Sequence, residues 1–296
     1  MTFCFTQQYD DIDAQVDPLG GYIEVKQLLH YTNDGSKALD TLYLYDWNHA
    51  YSETSTPLAA KLAEEFNFQF EKSKSDDKGN TKIHEFRTTQ GSLNWHRLEK
   101  QKDIVAIHLT HPIQPQDSLV FSASYVVKLP ADDFTGYGID NTDEISFRNG
   151  FLQFANQDFD GHWNLDSNYG FNDRTALRSP TKFTICFPED YTIIPSIKGD
   201  LHNGCWQAKD QIQGDLAFYL KRTNDFKSLG SSNFEIMTDM ADDLAADQTT
   251  VEIIKRIQKF AEDFFGNLNN KYFLICLLYT SPSPRDLSTS RMPSSA

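Results

Sequence analysis

Apolar and polar positions alternate with a period of two along most of the chain, in short runs separated by Gly, Pro, Asn and Asp. Tyr22 to Tyr31 is the first clear run; the turn signal Asp17-Pro18-Leu19-Gly20-Gly21 opens it and Thr32-Asn33-Asp34-Gly35 closes it. Leu39 to Trp47 predicts a second strand, with Leu42, Leu44 and Asp46 on one face and Tyr43, Tyr45 and Trp47 on the other. Further strands are expected at Ile83–Arg87, Ser92–Leu98, Ile104–Leu109 and Ser118–Leu129, with Pro112 and Pro115 breaking the chain between the last two. Glu144–Phe154, His162–Leu165, Lys182–Phe187, Thr192–Ile197, Gly204–Lys209, Leu216–Lys221 and Asn233–Met237 continue the pattern. The fold class is therefore mainly β, a sandwich or saddle-like antiparallel sheets.

The period changes twice. Residues 57–70 predict a short helix, with Thr56 as cap, Pro57 at the first helical position and Leu58, Leu62 and Phe66 at helical spacing. Near 250–265 a longer one is expected. Thr249 and Glu252 there form a capping box, and Ile253, Ile254, Ile257, Phe260, Phe264 and Phe265 make an apolar stripe. Lys271 to Ile275 begins one more strand.

From Cys276 the text of the chain changes character. Cys276 to Asp286 and Ser290 to Ala296 back-translate, in one frame and in order, to the two ends of a transposase sequencing-library adapter, and Leu287 to Thr289 leaves room for a barcode. Residues 276–296 are therefore set aside as an artefactual tail. On this reading the natural frame continues beyond Ile275. The formal net charge is −15. Arg285, Arg291 and Asp286 contribute +1 of that, which leaves −16 for residues 1–275. So acidic a surface argues against nucleic acid and anionic membrane as partners. No apolar run is long enough to span a bilayer. Residues 1–8 are short and apolar, compatible with the remnant of a signal peptide, although a basic n-region and a full apolar h-region are absent. Export, to a periplasm for example, agrees with this. Cys186 and Cys205 sit in consecutive strand-like segments and would pair in an exported protein; two buried thiols is the plainer expectation.

The search for chemistry returns no complete motif. His84-Glu85-Phe86-Arg87-Thr88 begins like H-E-x-x-H but has Thr at the last position and lies in a strand. His108 and His111 bracket a strand end without a nameable third ligand. Asp132/Asp133 and Asp158/Asp160 read as turn formers, since glycoside hydrolysis needs carboxylates facing across a cleft. Asp10, Asp11 and Asp13 lack the Gly and terminal Glu of a calcium loop. Gly136-Tyr137-Gly138 lacks the rest of a phosphate loop. No catalytic, metal or substrate-binding residue is named from the sequence.

Several segments, in order, resemble the N-terminal domain of aminopeptidase N-like (gluzincin) zinc metallopeptidases of a bacterial branch. They are Asp13-Ala-Gln-Val-Asp-Pro18, Gly21-Tyr-Ile-Glu-Val25, His30-Tyr-Thr-Asn33 and Asp46-Trp-Asn-His-Ala50. Phe134-Thr-Gly-Tyr-Gly138 and Phe159-Asp-Gly-His-Trp163 follow. Ile254 to Phe260 with Phe265-Gly266 resembles the first helix of the catalytic domain. The resemblance implies a β-rich N-terminal domain over 9–240, the start of a truncated peptidase domain over 241–275, and zinc and a peptide substrate in the full-length parent. It implies no zinc in this fragment, because H-E-x-x-H falls downstream. Gln153 and Gln157 do not match the family's amine-binding position clearly, and that role is not carried over. The fragment's own role would be to wall the active-site cleft. With most of a catalytic domain missing, part of the apolar helix stripe should stand exposed. The alternative is a self-contained β-sandwich that binds carbohydrate or protein through Trp47, Trp95, Trp163 and Trp206.

Overall fold

The computed structural model describes residues 10–158, 160–170, 179–210, 216–224, 226–231, 234–238, 248–265 and 271–275. The candidate leader 1–8 and the tail 276–296 lie outside the described residues, as do Phe159 and Gly266. The chain is mainly β and forms two compact units, one of residues 1–224 with 269–272 and one of residues 225–268 with 273–296.

In the first unit the largest sheet has eight strands. In spatial order they are β14 (Gly199–His202), β15 (Cys205–Asp210), β12 (Thr181–Cys186), β1 (Asp10–Asp17), β2 (Tyr22–Thr32), β8 (Ser118–Lys128), β4 (Asn80–Thr88) and β5 (Gly91–Ser92). All neighbours are antiparallel except β1 and β12, which run parallel with Asp10 opposite Thr181 and Gln15 opposite Cys186. The first clear run in the sequence begins at Tyr22, and the structure adds a strand before it. Ile12, Ala14 and Val16 alternate inward, and Asp11, Asp13 and Asp17 point away from the core, so the acids decorate a strand rather than a cation loop.

A second sheet, in the order β11 (Gln153–Phe154), β3 (Leu39–Tyr45), β7 (Ile104–Ile113) and β6 (Asn94–Arg97), lies across the core from the first. Tyr31 on β2 meets Phe154 on β11 at 5.0 Å between ring centroids, and Phe86 on β4 meets Trp95 on β6 edge-on at 5.9 Å. Leu42, Leu44, Val105 and Ile107 are fully buried between the layers. Removing any one of them to Ala would cost about 2–5 kcal/mol. Pro112 does not end β7. The strand runs past it because the ladder with β3 is irregular between Leu39 and Thr41, so the missing N–H falls at a bulge. A third sheet, β13 (Thr192–Pro195), β16 (Ala217–Lys221), β10 (Ile145–Arg148) and β9 (Gly138–Ile139), extends the same core through the paired Phe147 and Phe218.

Other expectations are redrawn. Glu144–Phe154 is two strands of different sheets, parted at Asn149 and Gly150, where Asn149 takes a left-handed φ of 51°. His162–Leu165 makes only an isolated bridge between Gln157 and Trp163. Leu39–Trp47 ends at Tyr45, and Trp47–Tyr51 is a 3-10 turn capped by the Asp46 carboxylate. The helix expected over 57–70 is α1 (Pro57–Glu64), capped by Thr56, and a separate turn α2 (Gln69–Lys72). Phe66, at φ 61°, breaks them apart. Cys186 and Cys205 are directly opposed on β12 and β15 and joined in a disulfide, which corrects the expectation of two free thiols.

The second unit contains the hairpin β17 (Lys227–Ser231) and β18 (Phe234–Thr238) and the helix α3 (Gln248–Phe265), while β19 (Lys271–Ile275) is divided between the two units after Tyr272. The helix begins at Gln248, so Thr249 lies inside it rather than at its cap. On it Ile253, Ile257, Phe260 and Phe264 are 50–72% exposed, and Phe260 stacks on Phe264. Among the described residues no helix is long and apolar enough to cross a membrane.

Candidate functional site

The end of β3 gathers a buried polar cluster. Asp46 is fully buried, and Arg97, at the end of β6, donates to its Oδ2 at 2.7 Å. The Thr81 hydroxyl donates to Oδ1 at 2.7 Å, and the same guanidinium reaches the carbonyls of Thr81 and Lys102. Asn48 donates to Lys128 O and accepts from the buried Tyr137 hydroxyl. This gives Gly136-Tyr137-Gly138 a packing role. Gly138 lies so close to the Pro130 carbonyl that a Cβ would stand 2.0 Å from its oxygen. His49 accepts from Thr81 N through Nδ1, and burial, aided by the Arg97 charge, pulls its pKa down to about 4. Burial, with a smaller push from the Asp46 charge, raises the pKa of Asp103, whose carboxylate accepts from Asn168 N at 2.6 Å and the Ser167 hydroxyl at 3.0 Å. Every named member points at another member or at backbone, so the cluster's chemistry is that of a lock between strand ends and the loop 164–168.

Beside this lock, a cavity of about 400 Å³ lies between two loops, lined among others by Tyr31, Asp34, Lys37, Gln157, Asp158 and Asp160. Asp158 Oδ1 accepts from the backbone N–H groups of Asp160 and His162. These bonds, led by the one from His162, hold the carboxyl below its ordinary value. Asp158, Asp160 and His162 are exposed and form the one group of three potential ligand atoms found among the described residues. A second cavity of about 500 Å³ lies on the outer face of the large sheet, over Asp13, Glu24, Lys26, His84 and Thr184. His84 is exposed at a β-bulge, while Thr88 ends the same strand. Asp132 and Asp133 open a 3-10 turn, and burial, then the charges of Asp133 and Asp140, raise Asp132. His111 is exposed near the end of β7 and His108 instead meets His96, a pairing that the sequence reading missed. Gln153 pairs with Tyr45 at the sheet edge, and Gln157 reaches Gly161 O at 3.5 Å. The tryptophans offer no open platform: Trp47 and Trp206 are buried, and Trp95 and Trp163 are half-buried against the core.

The fold is similar to that of solved M1 zinc metallopeptidases. Among solved structures, an M1 zinc metallopeptidase mutant from Deinococcus radiodurans, bound to a Tyr-Ser-Ala substrate, is similar with a TM-score of 0.53 and 11% identity over 91% of this chain. A two-domain M1 zinc metallopeptidase mutant bound to L-arginine is similar with a TM-score of 0.51 and 12% identity, again over 91% of the chain. At such identity the likeness is one of fold. The chain spans 56% of the length of each of these enzymes. No family model matches the sequence, and no curated protein is similar to it.

Proposed function

We propose that the chain is the non-catalytic N-terminal part of a zinc-dependent metallopeptidase, an aminopeptidase, whose β domain walls one side of the active-site cleft. The observation that carries this reading is the extent of the fold likeness: it covers 91% of the chain while occupying 56% of each enzyme. The β domain corresponds to 9–240, and 241–275, with α3 and β19, to the beginning of the peptidase domain. In the parent, zinc would supply Lewis-acid polarisation of the scissile carbonyl and activation of water; the H-E-x-x-H motif that would hold it does not occur in this sequence. The Cys186–Cys205 disulfide supports an oxidising, exported setting. The buried and half-buried tryptophans weigh against the carbohydrate-binding module.

The test is to read the gene beyond the codon for Ile275 and to assay both products. The longer product should contain H-E-x-x-H within a domain's length and hydrolyse amino-acid amides in a chelator-sensitive way. The 296-residue chain should show no such activity. A longer frame without that motif, or amidase activity that tracks the short chain through purification, would overturn the proposal.

A further inference from the structure

His96 and His108 stand on neighbouring strands, β6 and β7, apart from the buried lock and from the linings of the two cavities. The register explains why they meet. Asn94 pairs with His108 and His96 pairs with Ala106, so the two histidines are diagonal neighbours on one face. On the other side of β7, Thr41 pairs with His108 and Tyr43 with Ala106. The face therefore carries two successive rows, Thr41–His108–Asn94 and Tyr43–Ala106–His96. The second row is low at its centre, because Ala106 has only a methyl group, and the His96 ring has room to lean toward His108. Trp163 covers Tyr43 at 5.4 Å between centroids, and the first row remains open. Both imidazoles are exposed.

Nε2 of His108 lies 3.0 Å from Nδ1 of His96. The ring planes differ by 15° and the centroids are 5.0 Å apart. Two rings joined edge to edge through a 3.0 Å nitrogen contact have nearly that centroid separation, so the facing nitrogens, not the ring faces, make the contact. At a metal–nitrogen distance of about 2.0–2.1 Å, cis ligands at a right angle are about 2.9 Å apart and tetrahedral ligands about 3.3 Å. The observed 3.0 Å lies between these values, within the span that one cation can bridge, and the Irving–Williams order puts Cu(II) first among the late first-row divalent ions.

We propose that His96 and His108 form a surface chelate for a late first-row divalent cation, Cu(II) ahead of Ni(II) and Zn(II). In the neutral pair one facing nitrogen carries a hydrogen that the other accepts. For both to bind one ion, His108 takes the Nδ1–H tautomer and His96 the Nε2–H tautomer, with no net proton released. Thr41 Oγ1, at 3.4 Å from His108 Nδ1, is placed to accept that hydrogen, the outer hydrogen bond that orients a ligand histidine. Water fills the remaining positions, so the ion exchanges freely and leaves to a strong chelator. Bound there, it ties the short edge strand β6 to β7.

The experiment is a Cu(II) titration of the 296-residue chain at neutral pH, followed by calorimetry and electron paramagnetic resonance, with circular dichroism to show that each variant is folded. The expected result is one site per chain with a two-nitrogen signature. His96→Ala and His108→Ala should each weaken it at least tenfold and leave a one-nitrogen spectrum. Thr41→Val should weaken it by a few-fold, and His162→Ala should leave it unchanged. Binding of Cu(II) that survives the loss of His96 and His108, or that is abolished by His162→Ala, would overturn the proposal. So would a two-nitrogen spectrum in either single variant.

Discussion

Replacing Arg97 with methionine removes the one guanidinium that faces Asp46 while keeping an unbranched apolar stem. Asp46 is fully buried and the Arg97 side chain is 14% exposed, so solvent cannot take over the lost role. The wild-type guanidinium makes three bonds, to Asp46 Oδ2 at 2.7 Å, Lys102 O at 2.8 Å and Thr81 O at 3.0 Å. After the change Asp46 keeps only the Thr81 hydroxyl at 2.7 Å and the longer contact from His49 N at 3.3 Å. Breaking a buried pair by removing one partner costs about 3–5 kcal/mol, mostly as the stranded charge. That is a large part of a typical domain's stability of about 5–15 kcal/mol. Asp46→Asn in the same background removes the stranded charge and keeps an acceptor for Thr81, so the double variant should recover much of the loss. The assay is urea unfolding of the wild type, both single variants and the double variant, followed by near-ultraviolet circular dichroism, with the cycle giving the coupling energy. A loss below about 1 kcal/mol for Arg97→Met, the size typical of exposed pairs, would refute the argument that this pair is sealed from water.

Two shorter predictions concern the same unit. His49 has its pKa lowered to about 4 by burial, against an ordinary value near 6.5, so the unfolded chain binds the proton more readily than the folded one. Its contribution to stability is complete above about pH 6.5 and is lost as pH falls toward 4, by about 3 kcal/mol. His49→Gln should flatten that part of a stability-versus-pH curve, and an unchanged slope would count against the burial argument. Phe66 is 78% exposed and holds a left-handed φ of 61° at the end of α1, where a bulky side chain strains the backbone by about 1–2 kcal/mol. Phe66→Asn should raise the thermal midpoint, and a lower one would show that the ring contributes packing its exposure does not reveal.

The sequence made the half-buried strands legible wherever one face stayed apolar, as in Tyr22–Thr32 and Ser118–Lys128, and it made α3 legible through its stripe. β1 was hidden because its acids, Asp10, Asp11, Asp13 and Asp17, outweigh the alternation of Ile12, Ala14 and Val16. Its parallel partner β12 is also far away in sequence, so no local signal announces the pairing. The single short helix expected over 57–70 failed at Phe66, a residue with no helix-breaking chemistry of its own. The polar lock was invisible for a related reason. Asp46, Thr81 and Arg97 are each ordinary surface residues by composition, and only the register of β3, β4 and β6 brings them together.

The lock holds the loop 164–168 from two sides. Two buried carboxylates divide the work: Asp46 faces the sheet side, toward Arg97 and Thr81, and Asp103 faces the loop side, toward Ser167 and Asn168. A backbone bond from Asp46 N to Asp103 O at 2.7 Å joins the two halves. The loop is fixed again where Asn168 donates to Trp47 O, Gln101 to Leu165 O and the Tyr45 hydroxyl to Asn164 O. Just before it, Ala155 to Asp158, with Asp160 and Gly161, line one side of the 400 Å³ cavity, and Ala155 follows directly on β11. If the proposed enzyme uses that wall, a change at Arg97 should act at a distance, loosening the loop before any residue lining the cavity is altered. Polar residues that look merely structural are then the ones that determine how sharply the cavity is shaped.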